Sequence, residues 1–132
     1  MKRLLIFCIV CIAVSHVQGQ SCPEPDPIDM AKTLGKWKGA FSDQGKFVDF
    51  IVHLTGNRDD LKADVTIPSM KQSSGAYAAK ICDGEEIHLE TSTINTSMEL
   101  IGKPKDEVIT GRLIYKERGE VVREEVFTLR KI

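Results

Sequence analysis

The segment Leu61-Lys62-Ala63-Asp64-Val65-Thr66-Ile67 alternates apolar and polar residues without a break. Successive side chains of a β-strand point to opposite faces, so this pattern is a strand with one oily and one wet side; helical spacing would drive Lys62 and Asp64 into the interior. The same period runs through residues 46–54, where Val48, Phe50, Val52 and Leu54 share one face and Asp49, Ile51 and His53 the other. Turn signals divide the remainder: Asp43-Gln44-Gly45, Gly56-Asn57, Pro68 to Ser74, Asp83-Gly84, Ile94-Asn95-Thr96, Gly102 to Asp106 and Arg118-Gly119. Asp83-Gly84 is the strongest hairpin signal, because both central residues of a type I′ turn need positive φ. Turn-to-turn spacings of about 9 to 14 residues leave no room for crossover helices, so consecutive strands pair as antiparallel neighbours. The expected fold is all-β, an eight-stranded antiparallel up-and-down meander over 35–132. A small closed barrel is favoured over a sandwich because closure removes both edges.

The segment ahead of this domain reads differently. Pro23, Pro25 and Pro27 make residues 21–27 an extended arm, and residues 28–34 have the composition of one or two helical turns, with Asp26 ahead of Pro27 as the cap. Further upstream, Met1-Lys2-Arg3 is followed by an uncharged apolar run from Leu4 to Val14, the pattern of a secretory signal peptide. The run is too short for the roughly 20 residues of a transmembrane helix, so no stable membrane span is expected once residues 1–19 are removed. Val17-Gln18-Gly19 suits cleavage before Gln20, making the protein secreted or periplasmic. Of the four cysteines, Cys8 and Cys11 would leave with the leader. Cys22 and Cys82 remain, as one disulfide tying the arm to the barrel or as two separate thiols, and lipidation of Cys22 is a further alternative.

Leu34-Gly35-Lys36-Trp37-Lys38-Gly39 opens the first strand with a GxW motif, and Leu129-Arg130-Lys131-Ile132 ends the last. This pairing resembles the calycins, the superfamily of lipocalins and fatty-acid-binding proteins. The resemblance implies a meandering barrel whose first-strand tryptophan, Trp37, sits at the closed end beneath a basic side chain of the final strand, Arg130 in preference to Lys131. A second likeness covers more of the chain. Trp37 to Gly39, Phe50-Ile51-Val52-His53-Leu54, Ile67-Pro68-Ser69, Ser74-Gly75 and Ile109-Thr110-Gly111-Arg112-Leu113 are similar to small exported β domains found N-terminal to bacterial serine α/β-hydrolases. Pro68-Ser69 stands where those domains have Ser-Pro, and Leu113 where they have a second Trp.

The chemistry is sparse. No GxSxG nucleophile elbow occurs, and neighbouring strand residues such as Glu85-Glu86 or Glu124-Glu125 point to opposite faces, so neither pair can flank one bond. His53 and His88 lie on the charged sides of their strands and are expected to face solvent. Asn95-Thr96-Ser97 has the form of an N-glycosylation acceptor. A formal net charge of −1 supplies no basic field for nucleic acid. The expectation is therefore a protein with no catalytic residues, metal or cofactor. Its inward positions are apolar: Trp37, Val48, Phe50, Val52, Leu54, Leu61, Ala63, Val65, Ile67, Tyr77, Ile81, Ile87, Leu89, Met98, Leu100, Ile109, Leu113, Phe127 and Leu129. An interior of this kind suits a small hydrophobic or amphipathic ligand, with Phe50, Val52, Leu54, Tyr77, Met98 and Tyr115 as the candidate contacts. The alternative is a surface-interaction module, accessory or inhibitory to an exported enzyme or envelope protein, working through outward Ile51, Ile101 and Ile114.

Overall fold

The computed structural model describes residues 27–132. The leader and most of the arm, with Asp26 and Cys22, lie outside the described residues. A single helical turn, α1 (Met30–Thr33), precedes eight strands: β1 (Gly35–Asp43), β2 (Lys46–Gly56), β3 (Leu61–Thr66), β4 (Gly75–Cys82), β5 (Glu86–Ser92), β6 (Thr96–Lys105), β7 (Val108–Glu117) and β8 (Glu120–Lys131). Each strand pairs antiparallel with the next, and β8 pairs with β1 from Trp37 opposite Lys131 to Phe41 opposite Phe127, which closes the barrel.

The expected period-two segments are strands with alternating burial, clearest in β3, where Leu61, Ala63 and Val65 are buried and their neighbours exposed. Val48 and Ile81 are only partly buried, and two residues outside the expected interior join the core, Phe41 and Ile28. Phe41 follows the parity of Trp37 along β1. Ile28 arrives from outside the barrel.

The turns are tight where the sequence marks them. Gln44-Gly45 and Arg118-Gly119 form two-residue connections with positive φ at both positions, as type I′ geometry needs. The Gly102 to Asp106 signal overstates its turn: β6 continues to Lys105, and only Asp106-Glu107 connects it to β7. Gly102 lies inside the strand, and glycine suits the position because a side chain there would meet Ile109 and the Phe127 ring, whose nearest atom would be 3.3 Å away. Pro104 is tolerated because the β5 ladder stops at Ile87 opposite Gly102, so its missing N–H costs no strand pairing on that side.

One end of the barrel is plugged. Asp29 caps α1 by accepting the Ala31 N–H at 3.0 Å and the Lys32 N–H at 3.4 Å, and Gly35, at φ 120°, turns the chain from the helix into β1. Trp37 Nε1 donates to the Thr33 carbonyl at 2.8 Å, Ile28 N–H donates to Gly84 O at 2.9 Å, Arg58 holds the Ile28 carbonyl, and Lys131 donates to the Lys32 carbonyl. The cation over Trp37 is Lys131, 5.4 Å from the ring centroid, and not Arg130. Lys131 is opposite Trp37 in the register and shares its inward face, whereas Arg130 is opposite Lys38 and exposed. Such a contact is worth roughly 0.5–1 kcal/mol at a partly solvated site.

Inside, Phe50 stands edge-on to Phe41 and Phe127, with centroids 5.5 and 5.7 Å apart. The void among Val52, Leu54, Ile87, Leu100 and Phe127 is about 10 Å³, no more than one water needs. The interior is packed solid. At the closure seam, a methyl group on Gly39 would run into the Thr128 carbonyl oxygen and Leu129. Gly39→Ala is therefore expected to destabilise the barrel by about 1–3 kcal/mol, the usual cost of overpacking. Thermal denaturation followed by circular dichroism checks this, and an unchanged melting temperature would show that the seam is slack.

Candidate functional site

The other end of the barrel carries the connections at Gln44-Gly45, residues 67–74, residues 93–95 and Arg118-Gly119. Between the second and third of these opens a cleft of about 510 Å³. Pro68, Ser69, Met70, Lys71 and Ser73 form one wall, Thr91 to Thr93 with Thr96 and Ser97 the other, and Met98 and Tyr115 the floor.

The β3–β4 connection is held in shape by local hydrogen bonds. Ser74 Oγ accepts the Ile67 N–H at 2.8 Å and donates to the Ile67 carbonyl at 3.1 Å, pinching the two ends of the loop together. A 3₁₀ turn, Lys71–Ser73, sits between them. From below, Tyr77 donates its hydroxyl to the Ser73 carbonyl at 2.6 Å, with Met98 Sδ 3.5 Å away. Burial pushes the Tyr77 phenol up to about 12. Ser74 is thus a clamp, with no base arranged beside it as a nucleophile requires. The opposite wall is fixed by Thr93, whose Oγ1 is 2.7 Å from Thr96 Oγ1.

Of the expected ligand contacts, Met98 and Tyr115 come together on the cleft floor and Tyr77 lies directly beneath, supporting the loop. Phe50, Val52 and Leu54 do not reach the cleft, because the aromatic trio and its aliphatic neighbours fill the barrel below it. Sequence reading missed the group beside Tyr115. Arg123 lies with its guanidinium 5.5 Å from the Tyr115 centroid and pairs with Asp43 at the end of β1. A bulge produces this arrangement: Tyr115 is opposite Arg123 but Lys116 is opposite Val121, so Val122 is an extra residue in β8. Parity counted back from Phe127 would have placed Arg123 inside. The turn reading of Asp43 hid its partner.

The outer wall carries a row of charges. His88 Nε2 is 3.2 Å from Glu86 Oε2 and Nδ1 is 3.9 Å from Glu99, which also pairs with Lys116. His88 is consequently half-buried rather than free in solvent. Its hydrogen bond, followed by the charge of Lys103, holds the Glu86 carboxyl below its ordinary value, and Glu85 holds the Lys103 ammonium above its own. Glu85 and Glu86 converge on Lys103, at 3.2 and 3.7 Å, although adjacent strand residues diverge, because Glu85 belongs to the turn. Outward Ile51, Ile101 and Ile114 form no common patch: β2 is across the barrel from β6 and β7, and all three are half-buried. Among the described residues, no cluster of His, Cys, Asp and Glu could hold a metal, and no helix is long and apolar enough to cross a membrane. A second groove, of about 530 Å³, lies beside α1. Its walls combine Pro27, Ile28 and Pro104 with six charged residues, among them the Lys32–Asp29 and Lys103–Glu85 ion pairs, a more charged lining than that of the mouth cleft.

The sequence matches no protein-family model and no curated protein. The eight-stranded closed meander is compatible with a calycin-like fold.

Because the folded Tyr77 phenol holds its proton above the unfolded value near 10, its contribution to stability is complete below pH 10 and is lost as pH rises towards 12. Ultraviolet titration should show one of the two tyrosines ionising near pH 12, and Tyr77→Phe should abolish that step. Its survival in the variant would place the late phenol elsewhere.

Proposed function

We propose that this chain is an exported, calycin-like binding protein that seats a small amphipathic molecule in the cleft at the barrel mouth. The observation that carries the reading is the cleft itself, about 510 Å³ with Met70, Met98 and Tyr115 on its apolar side and serine and threonine residues around them. That size suits a small ligand, and methionine is an adaptable apolar surface. The packed interior supports the mouth, in preference to the barrel axis, as the place of binding. The ligand lies against the protein without being engulfed.

The test is a titration of isotope-labelled protein with dodecyl maltoside below its micelle concentration, followed by amide NMR. Shifts are expected at residues 69–73, 91–98 and Tyr115, and Met98→Glu should weaken the binding at least tenfold. No perturbation of these residues would end the reading. A second reading, a surface-interaction module, draws support from Phe47, Ile94, Val121 and Val122, all exposed at the same rim. Shifts confined to those four residues would transfer the function to the rim.

We further propose that Cys22 and Cys82 are joined. The supporting geometry is the Ile28–Gly84 hydrogen bond, which brings the start of the described chain to the turn just after Cys82. The six residues from Cys22 to Ile28 can span about 20 Å when extended, ample for the connection. Reduction of the exported protein should raise its intact mass by about 2 Da, one hydrogen per sulfur. An unchanged mass would show two separate thiols.

A further inference from the structure

The cleft walls carry a charge pattern that narrows the ligand beyond a generic amphiphile. Lys71 is the one charged residue among those lining the cleft, and no carboxylate joins it. Among the described residues Lys71 forms no ion pair. Arg123 pairs with Asp43 beside Tyr115 and Lys116 with Glu99 on the outer wall, while Lys46 and Arg118, in or beside the rim turns, lie outside the cleft lining. Glu117, opposite Thr96 on β7, is next to Arg118 and outside the lining. Around Lys71 stand seven serine and threonine residues, of which Thr93 and Thr96 bond one another. A lysine ammonium acts as a point charge, so its attraction grows with the total charge of what it meets, and hydroxyls add donors for several oxygens at once. A planar carboxylate offers one charge and two oxygens and is matched best by a forked guanidinium, which the lining lacks. A phosphate monoester offers about −1.5 to −2 charges and three acceptor oxygens.

We propose that Lys71 makes the mouth cleft selective for single-chain amphiphiles with a phosphate monoester head, the head against Lys71 and the hydroxyl-lined walls and the chain over Met98 and Tyr115. This rests on the cleft-binding reading above and adds the head-group chemistry to it.

The experiment compares five probes at matched low ionic strength, each below its micelle concentration: dodecyl phosphate, dodecanoate, dodecyl maltoside, dodecyltrimethylammonium and inorganic phosphate. Amide NMR reports the place of binding and calorimetry the affinity. Dodecyl phosphate should bind about fivefold more tightly than dodecyl maltoside, with dodecanoate between them, as one partly solvated ion pair allows. Lys71→Gln, at an exposed position, should erase that advantage, so that dodecyl phosphate binds the variant no more tightly than dodecyl maltoside does. Lys71→Glu should turn the preference towards dodecyltrimethylammonium. Dodecanoate equal to or tighter than dodecyl phosphate would overturn the phosphate assignment. Inorganic phosphate binding as tightly as dodecyl phosphate would overturn the role of the chain. If dodecyl maltoside shifts the cleft but all head groups bind alike, the charge selection falls and the cleft reading stands; if no chain-bearing probe shifts the cleft, both fall.

Discussion

The pairing of β1 with β8 is the constraint on which the rest of the molecule depends. It converts a twisted ribbon with two open edges into a tube, and the residues along it do more than exchange hydrogen bonds. Trp37 and Lys131 meet at one end of the seam and Phe41 and Phe127 near the other, so the strands that close the barrel also supply two of its three edge-on rings and its tryptophan floor. Gly39 lies between them, where the strands approach too closely for a side chain. Closure and core packing are one event here. A barrel left open at this seam would expose the edges of both strands and part the Phe41–Phe50–Phe127 contact together.

The plug and the mouth follow from that closure. At one end, Ile28 and α1 lie across the Trp37 floor, held by backbone acceptors at Ile28, Lys32, Thr33 and Gly84. At the other, one connection, residues 67–74, is long, and it stands apart from the β5–β6 hairpin over Met98 and Tyr115 to make the cleft. The aromatic packing explains why binding is read at the rim. With the three rings filling the bore, the space at the mouth is above them, and its walls come from the 67–74 connection on one side and from the polar ends of β5 and β6 on the other.

Much of this was legible in the residues. Strict alternation located the strands and their inward faces, and paired turn residues located the hairpins, because both depend on rules local to a few positions. The same rule carried past Leu129 puts residue 131 inside, and Lys131 is indeed over Trp37. The family likeness pointed instead to Arg130, and simple parity was the better guide. What escaped reading depends on register between distant strands: parity alone puts Arg123 inside, but its pairing with Asp43 follows from β8 lying against β1. Gly102 and Pro104 read as a turn because those residue types usually are one. Their place in β6 is set by Phe127 and by where β5 ends. The candidate site was half legible for the same reason. Met98 and Tyr115 were recoverable from strand patterns, whereas the loop walls and Lys71 depend on how the 67–74 connection folds back.

The seam joins Trp37, near the first strand's start, to Lys131, the next-to-last residue of the sequence. No segment that lacks either β1 or β8 can therefore contain the completed tube. During synthesis the earlier hairpins can form one after another, but the first strand keeps an unsatisfied edge until β8 emerges. The nascent protein is most vulnerable to mispairing with its neighbours just before β8 emerges, and that strand acts as a latch on the seven made before it.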